Sequence, residues 1–80
     1  MTNNFDIRRT LGQTVRTIRQ RANLSQEELA NRAGLDRTYI GGIERGERNP
    51  TVMSLKTIAD ALEISLHELF KGQTTSDDDS

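Results

Sequence analysis

The stretch Leu24 to Pro50, LSQEELANRAGLDRTYIGGIERGERNP, restricts the possible folds more than any other part of this chain. Ser25 precedes Glu28 at the spacing in which a hydroxyl and a carboxylate satisfy one another's free backbone amides at a helix start. The helix expected from it, Gln26 to Ala33, carries Leu29, Ala30 and Ala33 on one narrow inward stripe and turns Gln26, Glu27, Asn31 and Arg32 outward. Gly34 then supplies a residue that turns left-handed without Cβ strain, and Leu35 can fold back onto the core. Asp36 caps a second helix, Arg37 to about Arg45, whose Ile40 and Ile43 face inward and which Gly46 can stop in the same way.

Two short helices so closely joined must cross steeply. Counted from Gln26 as position one, a small residue (Ala30) falls at five, glycine (Gly34) at nine, and apolar residues at four, eight, ten, fifteen and eighteen (Leu29, Ala33, Leu35, Ile40, Ile43). A helix-turn-helix needs this spacing: the residue at five is small because the second helix crosses over it, and the apolar positions knit the pair together. On these residues the chain resembles the Cro/CI-type (XRE) helix-turn-helix family over about Leu11 to Phe70. The phrase LDRTYIGGIERGERNP resembles more narrowly the controller proteins of restriction-modification systems, small transcription factors in which D-R-T-Y-I and I-E-R recur. The resemblance implies an all-α, lambda-repressor-like domain.

Eighty residues make one small domain, which buries only about 60% of the surface its unfolded chain exposes, so dimerisation is expected on energetic grounds. With no cysteine and one histidine, neither a disulfide framework nor the usual zinc constellations can form, and no cofactor is expected. No apolar run approaches the ~20 residues of a membrane span, and the N-terminus lacks a signal peptide's apolar core. A bacterial cytoplasmic protein, on the nucleoid when bound to an operator, is expected. The net charge of −1 conceals an asymmetry: residues 1–48 hold nine Lys/Arg against six Asp/Glu, giving +3, while residues 49–80 hold two against six, giving −4. The motif lies in the positive part, and charge distribution sets a nucleic-acid footprint.

In chain order, Met1 to Asn4 reads as a frayed lead-in and Asp6 to about Arg21 as a first helix, with Ile7, Leu11, Val15, Ile18 and Ala22 recurring at helical spacing. Asp6 lies near its positive N-terminal dipole. Arg8, Arg9, Arg16 and Arg19 are either DNA contacts or a solvated face. After the motif, Pro50 ends the loop, Thr51 caps a helix from Val52 to about Glu63 with Leu55, Ile58, Ala59 and Leu62 inward, and Ser65 caps a fifth from Leu66 to Lys71. Residues 1–71 are thus one five-helix domain, and 72–80 reads as a disordered acidic tail.

In the helix-turn-helix mode the start of the second helix enters the major groove while the first braces it against the backbone. Arg37 can pair with both guanine O6 and N7, for about 1–3 kcal/mol of discrimination, against the competing account of a salt bridge to Asp36 or Glu27. Thr38 suits a thymine methyl or a phosphate, and Tyr39 a phosphate or a deformable step, unless it packs within the domain. Gln26, with Ser25, stands at the helix end where a phosphate oxygen binds. Arg45, Arg48 and Asn49 follow the second helix and can hold the flanking backbone. The controller-protein resemblance implies an operator contact at Arg48 and a small residue on the DNA side at Gly41. Gly41 and Gly42 each cost a helix near 1 kcal/mol relative to alanine. Glu44 is badly placed for phosphate and reads as a structural ion pair with Arg16 or Arg19. His67 reads as a surface residue, Ser25 and Asp36 as caps, so no catalytic constellation is present and an enzyme is not expected.

A dimer reads two half-sites about one helical turn apart. Met53, Ile64, Leu66, Leu69 and Phe70 are the expected interface residues, their competing role being packing within the domain. The resulting expectation is a homodimeric regulator of a palindromic operator. The resemblance implies control of its own gene and of an endonuclease gene, with activation from one operator site and repression from a second. Glu47 and the acidic C-terminal half are candidate contacts to RNA polymerase. A phage-type repressor or an antitoxin of the same fold, and a protein-interaction module without DNA binding, remain open alternatives.

Overall fold

A computed structural model describes residues 7–71 as five α-helices: α1 (Ile7–Arg21), α2 (Gln26–Ala33), α3 (Arg37–Glu44), α4 (Val52–Ala61) and α5 (Leu66–Lys71). The described residues contain no strand, and none of their helices is long and apolar enough to cross a membrane. The lead-in, Asp6 and the acidic tail lie outside the described residues.

Side-chain caps set where the helices begin. The Ser25 N–H donates to Glu28 Oε1 at 2.8 Å while the Glu28 N–H donates to Ser25 Oγ at 3.0 Å, closing the expected box. Thr51 accepts from the Ser54 amide at 3.0 Å, Ser65 from Glu68 at 3.0 Å, and Asp36 from Thr38 at 3.3 Å. Helix ends share a left-handed residue, expected at Gly34 (φ 68°) and Gly46 (φ 76°) and found also at Asn23 (φ 61°) and Glu63 (φ 62°). After α1 the Leu24 N–H reaches back to the Arg19 carbonyl at 3.1 Å, and after α4 Ile64 reaches Ala59 at 2.9 Å. That closure ends α4 at Ala61, short of the expected Glu63.

The principal helix contacts form a ring, α1 on α3, α3 on α2, α2 on α4, α4 on α5 and α5 back on α1. Val15, Leu29, Ile40, Ile43, Ile58 and Leu69 fill its centre and are fully buried. Two residues expected on the α1 core stripe, Ile7 and Ala22, are exposed. Instead α1 presents backbone: at Gly12 a Cβ would overlap the Ile43 carbonyl oxygen and lie 2.7 Å from that of Glu44. Gly46 makes a second close approach, a Cβ there lying 2.9 Å from Arg9 Cα. Through these two glycines α1 fixes the C-terminal end of α3, and hence how far the start of α3 projects from the domain.

Candidate nucleic-acid interface

Arg37 and Thr38 open α3 and are exposed. The Asp36 carboxylate is engaged as the cap, and among the described residues no ion pair involves Arg37, so the alternative of a salt bridge to Asp36 or Glu27 is not formed. A long cation at the positive end of a helix that forms no ion pair there keeps its five donors for a ligand.

Tyr39 is half-buried and packs against the core. Its hydroxyl donates to Ser54 Oγ at 3.2 Å, and Ser54 in turn accepts from Thr51 Oγ1 at 3.1 Å, tying α3 to the start of α4. The outer ring face carries Arg48, whose guanidinium carbon lies 5.6 Å from the ring centroid, within cation–π range. The Arg48 stem crosses α3 at Gly42, where a Cβ would lie only 2.6 Å from Arg48 Cγ. Tyr39 and Gly42 thus form a seat for Arg48, and the packing role weighed for Tyr39 is the one its contacts within the domain make. The helix cost of Gly42 marked it in the sequence as a place of close approach, but nothing there named Arg48 as what approaches, and nothing marked Ser54; both act on residues that the fold brings together.

Gly41, expected as a small residue on the DNA side, is buried beneath the side chains of Arg45 and Gln26, a Cβ there lying 3.1 Å from Arg45 Nη1 and 3.5 Å from Gln26 Oε1. It gives these two side chains room to lie against α3. Arg45 Nε meanwhile donates to Glu47 Oε1 at 3.0 Å; both side chains are exposed, so the pair contributes little and leaves Arg45 able to reorient. Arg48 and Asn49 are exposed beyond it.

Behind this surface lies a buried polar cluster. Arg19 Nε and Nη2 donate to the two oxygens of Glu44 at 2.6 and 2.9 Å, and Nη1 donates to the Leu24 carbonyl at 2.8 Å. Arg19 is therefore neither a DNA contact nor a solvated charge, and of the two arginines weighed for Glu44 it is the one that pairs. Hydrogen bonding to Glu44 raises its pKa, outweighing the opposing effect of burial, and holds it firmly protonated. Gln26 joins the cluster, Nε2 donating to Glu44 Oε1 at 2.9 Å, so the glutamine amide is anchored sideways to α3 and does not assist the cap. The backbone amides of Gln26 and Glu27, in the first turn of α2, have no intrahelical acceptor and point out of the helix end. Ser25 Oγ receives the Glu28 amide and keeps its own proton for a ligand.

In α4, α5 and the turn between them, Met53 is 76% exposed and Ile64, Leu66 and Phe70 are half-buried at the core's edge. Leu69, expected with them in an interface, is fully buried within the chain's own core and has no surface to offer a partner. His67 is exposed, and the described residues hold no His, Cys, Asp or Glu cluster that could bind a metal ion.

The helix-turn-helix family matches residues 15–69. Control protein C.SmaI of Serratia marcescens is 48% identical over 69 residues, which cover 86% of this chain and 82% of that protein. The restriction-modification controller protein C.AhdI from Aeromonas hydrophila superposes with a TM-score of 0.80 at 44% identity, over 82% of this chain and 100% of that one. SinR, a master regulator of biofilm formation solved in complex with DNA, superposes with a TM-score of 0.71 at 33% identity, over 75% of this chain and 97% of that one. The chain thus belongs to the helix-turn-helix family of Cro/CI (XRE) type, and within it is similar to the restriction-modification controller proteins.

Proposed function

We propose that this chain is a homodimeric, sequence-specific transcriptional regulator that binds a palindromic operator as a controller protein of a restriction-modification system. The observation that carries this reading is the exposed start of α3, where Arg37 and Thr38 serve no packing role and Arg37 has no ionic partner among the described residues. Arg37 and Thr38 read base edges, Arg48 is presented from its seat on Tyr39, and Gln26, Ser25 and the free amides of α2 hold a phosphate. Arg45 and Asn49 secure the flanking backbone. The SinR complex with DNA supports this mode of use for the fold. Met53, Ile64, Leu66 and Phe70 form the two-fold interface, which sets the paired recognition helices roughly 34 Å apart. Glu47, beside Arg45 and exposed, is the candidate contact to RNA polymerase during activation.

Gel retardation on the DNA upstream of the chain's own gene tests the reading. A shift that weakens steeply with salt and is lost when the palindrome is scrambled is expected; no shift at low salt overturns DNA binding, and an equal shift on scrambled DNA overturns sequence specificity. A reporter driven by the same region is expected to rise and then fall as the protein accumulates, and a flat response overturns the controller role.

A further inference from the structure

We propose that Glu44 is a positioning residue for DNA recognition: clamped by Arg19, its buried carboxylate takes one N–H of Gln26 and fixes which atoms of that amide face the DNA. The inference rests on the operator-binding reading above. A free glutamine side chain at a helix start samples several rotamers and both amide orientations, and ordering it on binding costs affinity. Here the choice is made in advance. A carboxylate only accepts, so an amide 2.9 Å from Glu44 Oε1 must turn its nitrogen inward; the flipped amide would set oxygen against oxygen.

Glu44 cannot itself yield, because both its oxygens are held by the Arg19 fork and the two side chains are 3% and 10% exposed. Arg19 is in turn anchored to the Leu24 carbonyl just before the α2 cap. The carbonyl of Gln26 then lies over the bare backbone of α3 at Gly41, where a Cβ would stand 3.5 Å from its Oε1. What remains outward is the second Nε2 hydrogen, a single donor of fixed direction beside the free amides of α2, suited to a phosphate oxygen or a base acceptor. The same carboxylate joins α1, α2 and α3, so the bracing helix and the recognition helix present their groups as one body.

A double-mutant cycle tests the coupling. Replacing a buried ion pair by apolar residues of similar volume is often neutral or stabilising, so Arg19→Met with Glu44→Leu is the background of choice, its helical content checked by circular dichroism. Gln26→Ala is expected to weaken operator binding about tenfold in the wild-type chain, as for one hydrogen bond to a charged oxygen, and less than about twofold in the apolar background. Glu44→Asp, which keeps the counter-charge to Arg19 but withdraws it from Gln26, is expected to reduce the cost of Gln26→Ala likewise. An equal cost in all three backgrounds overturns the proposal. A readout without DNA separates this from the operator reading: one Gln26 side-chain amide proton should be shifted downfield of its free-amide position and slow to exchange in the wild type, and both should return to free-amide behaviour in the apolar pair. Free-amide behaviour already in the wild type overturns the clamp, whereas a wild type with the expected amide signal and no operator binding overturns the operator reading instead.

Discussion

Gly12→Ala should destabilise the domain although it replaces a poor helix former by the best one. In an isolated helix the exchange is favourable by about 1 kcal/mol. In this domain the new methyl group meets the backbone carbonyl oxygens of Ile43 and Glu44, the latter at 2.7 Å, and neither can rotate away as a side chain would. Overpacking of this kind costs about 1–3 kcal/mol, and here α1 must also lift from α3, stretching the Arg19 to Glu44 bonds. A net loss of about 1–2 kcal/mol follows, which for a domain this small lowers Tm by about 5–15 °C. With a urea slope near 1 kcal/mol/M, the midpoint should fall by about 1–2 M at unchanged slope. The measurement is urea unfolding followed by circular dichroism, at one fixed protein concentration because the proposed dimerisation would add to apparent stability. A midpoint equal to or above that of the wild type would show that α1 does not rest on the backbone of α3, and would refute the account of how α3 is held.

Gly42→Ala is the informative contrast, since its methyl meets only the Arg48 side chain: stability should be kept or rise by up to about 1 kcal/mol, while operator affinity measured by fluorescence anisotropy should fall as Arg48 leaves its seat. Glu28 has a pKa below its ordinary 4.5, first because its carboxylate accepts the Ser25 backbone N–H, so its stabilisation is present above 4.5 and lost as pH falls through the lowered value. Glu28→Gln keeps an acceptor without the charge, so thermal melts should show the wild type more stable near neutral pH, with the difference closing as pH drops below 4.5. Leu69→Ala should cost about 2–5 kcal/mol of stability, whereas Phe70→Glu should leave the helical fold intact and yield a monomer in sedimentation velocity; a dimeric Phe70→Glu would place the interface elsewhere.

What could be read from the residues alone was what they determine locally. Ser25 with Glu28, Thr51, and the glycines at 34 and 46 act within one turn of their own position, and each does in the structure what its spacing implies. Gly12 was invisible for the opposite reason: its function lies entirely in a carbonyl contributed by another helix, and in sequence it looks merely like a weak point of α1. Arg19 stood in a run of arginines that periodicity could assign to a solvated face; Glu44, 25 residues later, was matched in sequence to Arg16 or Arg19, and only the fold chooses Arg19 and buries the pair. Leu69 and Phe70 are neighbours of similar hydrophobicity; whether such a residue packs within a chain or between two is a matter of which side of a six-residue helix faces inward, and so short a helix shows too little periodicity to say. Asn23 and Glu63 turn left-handed without being glycine, which moved the expected end of α4 by a turn's fraction.

The exposure of Arg37 and Thr38 carries a consequence for how such a protein changes over time. Neither side chain contributes to the core, and the cap that starts their helix is supplied by Asp36. Mutations at these two positions are therefore nearly free of folding cost, and lineages can exchange the residues there while Gly12, Arg19 and Glu44 stay under the constraint of stability. If these two side chains read bases as proposed, the DNA sequence to which such a regulator answers can drift with its operator, one base preference at a time, without the domain ever passing through an unfolded intermediate.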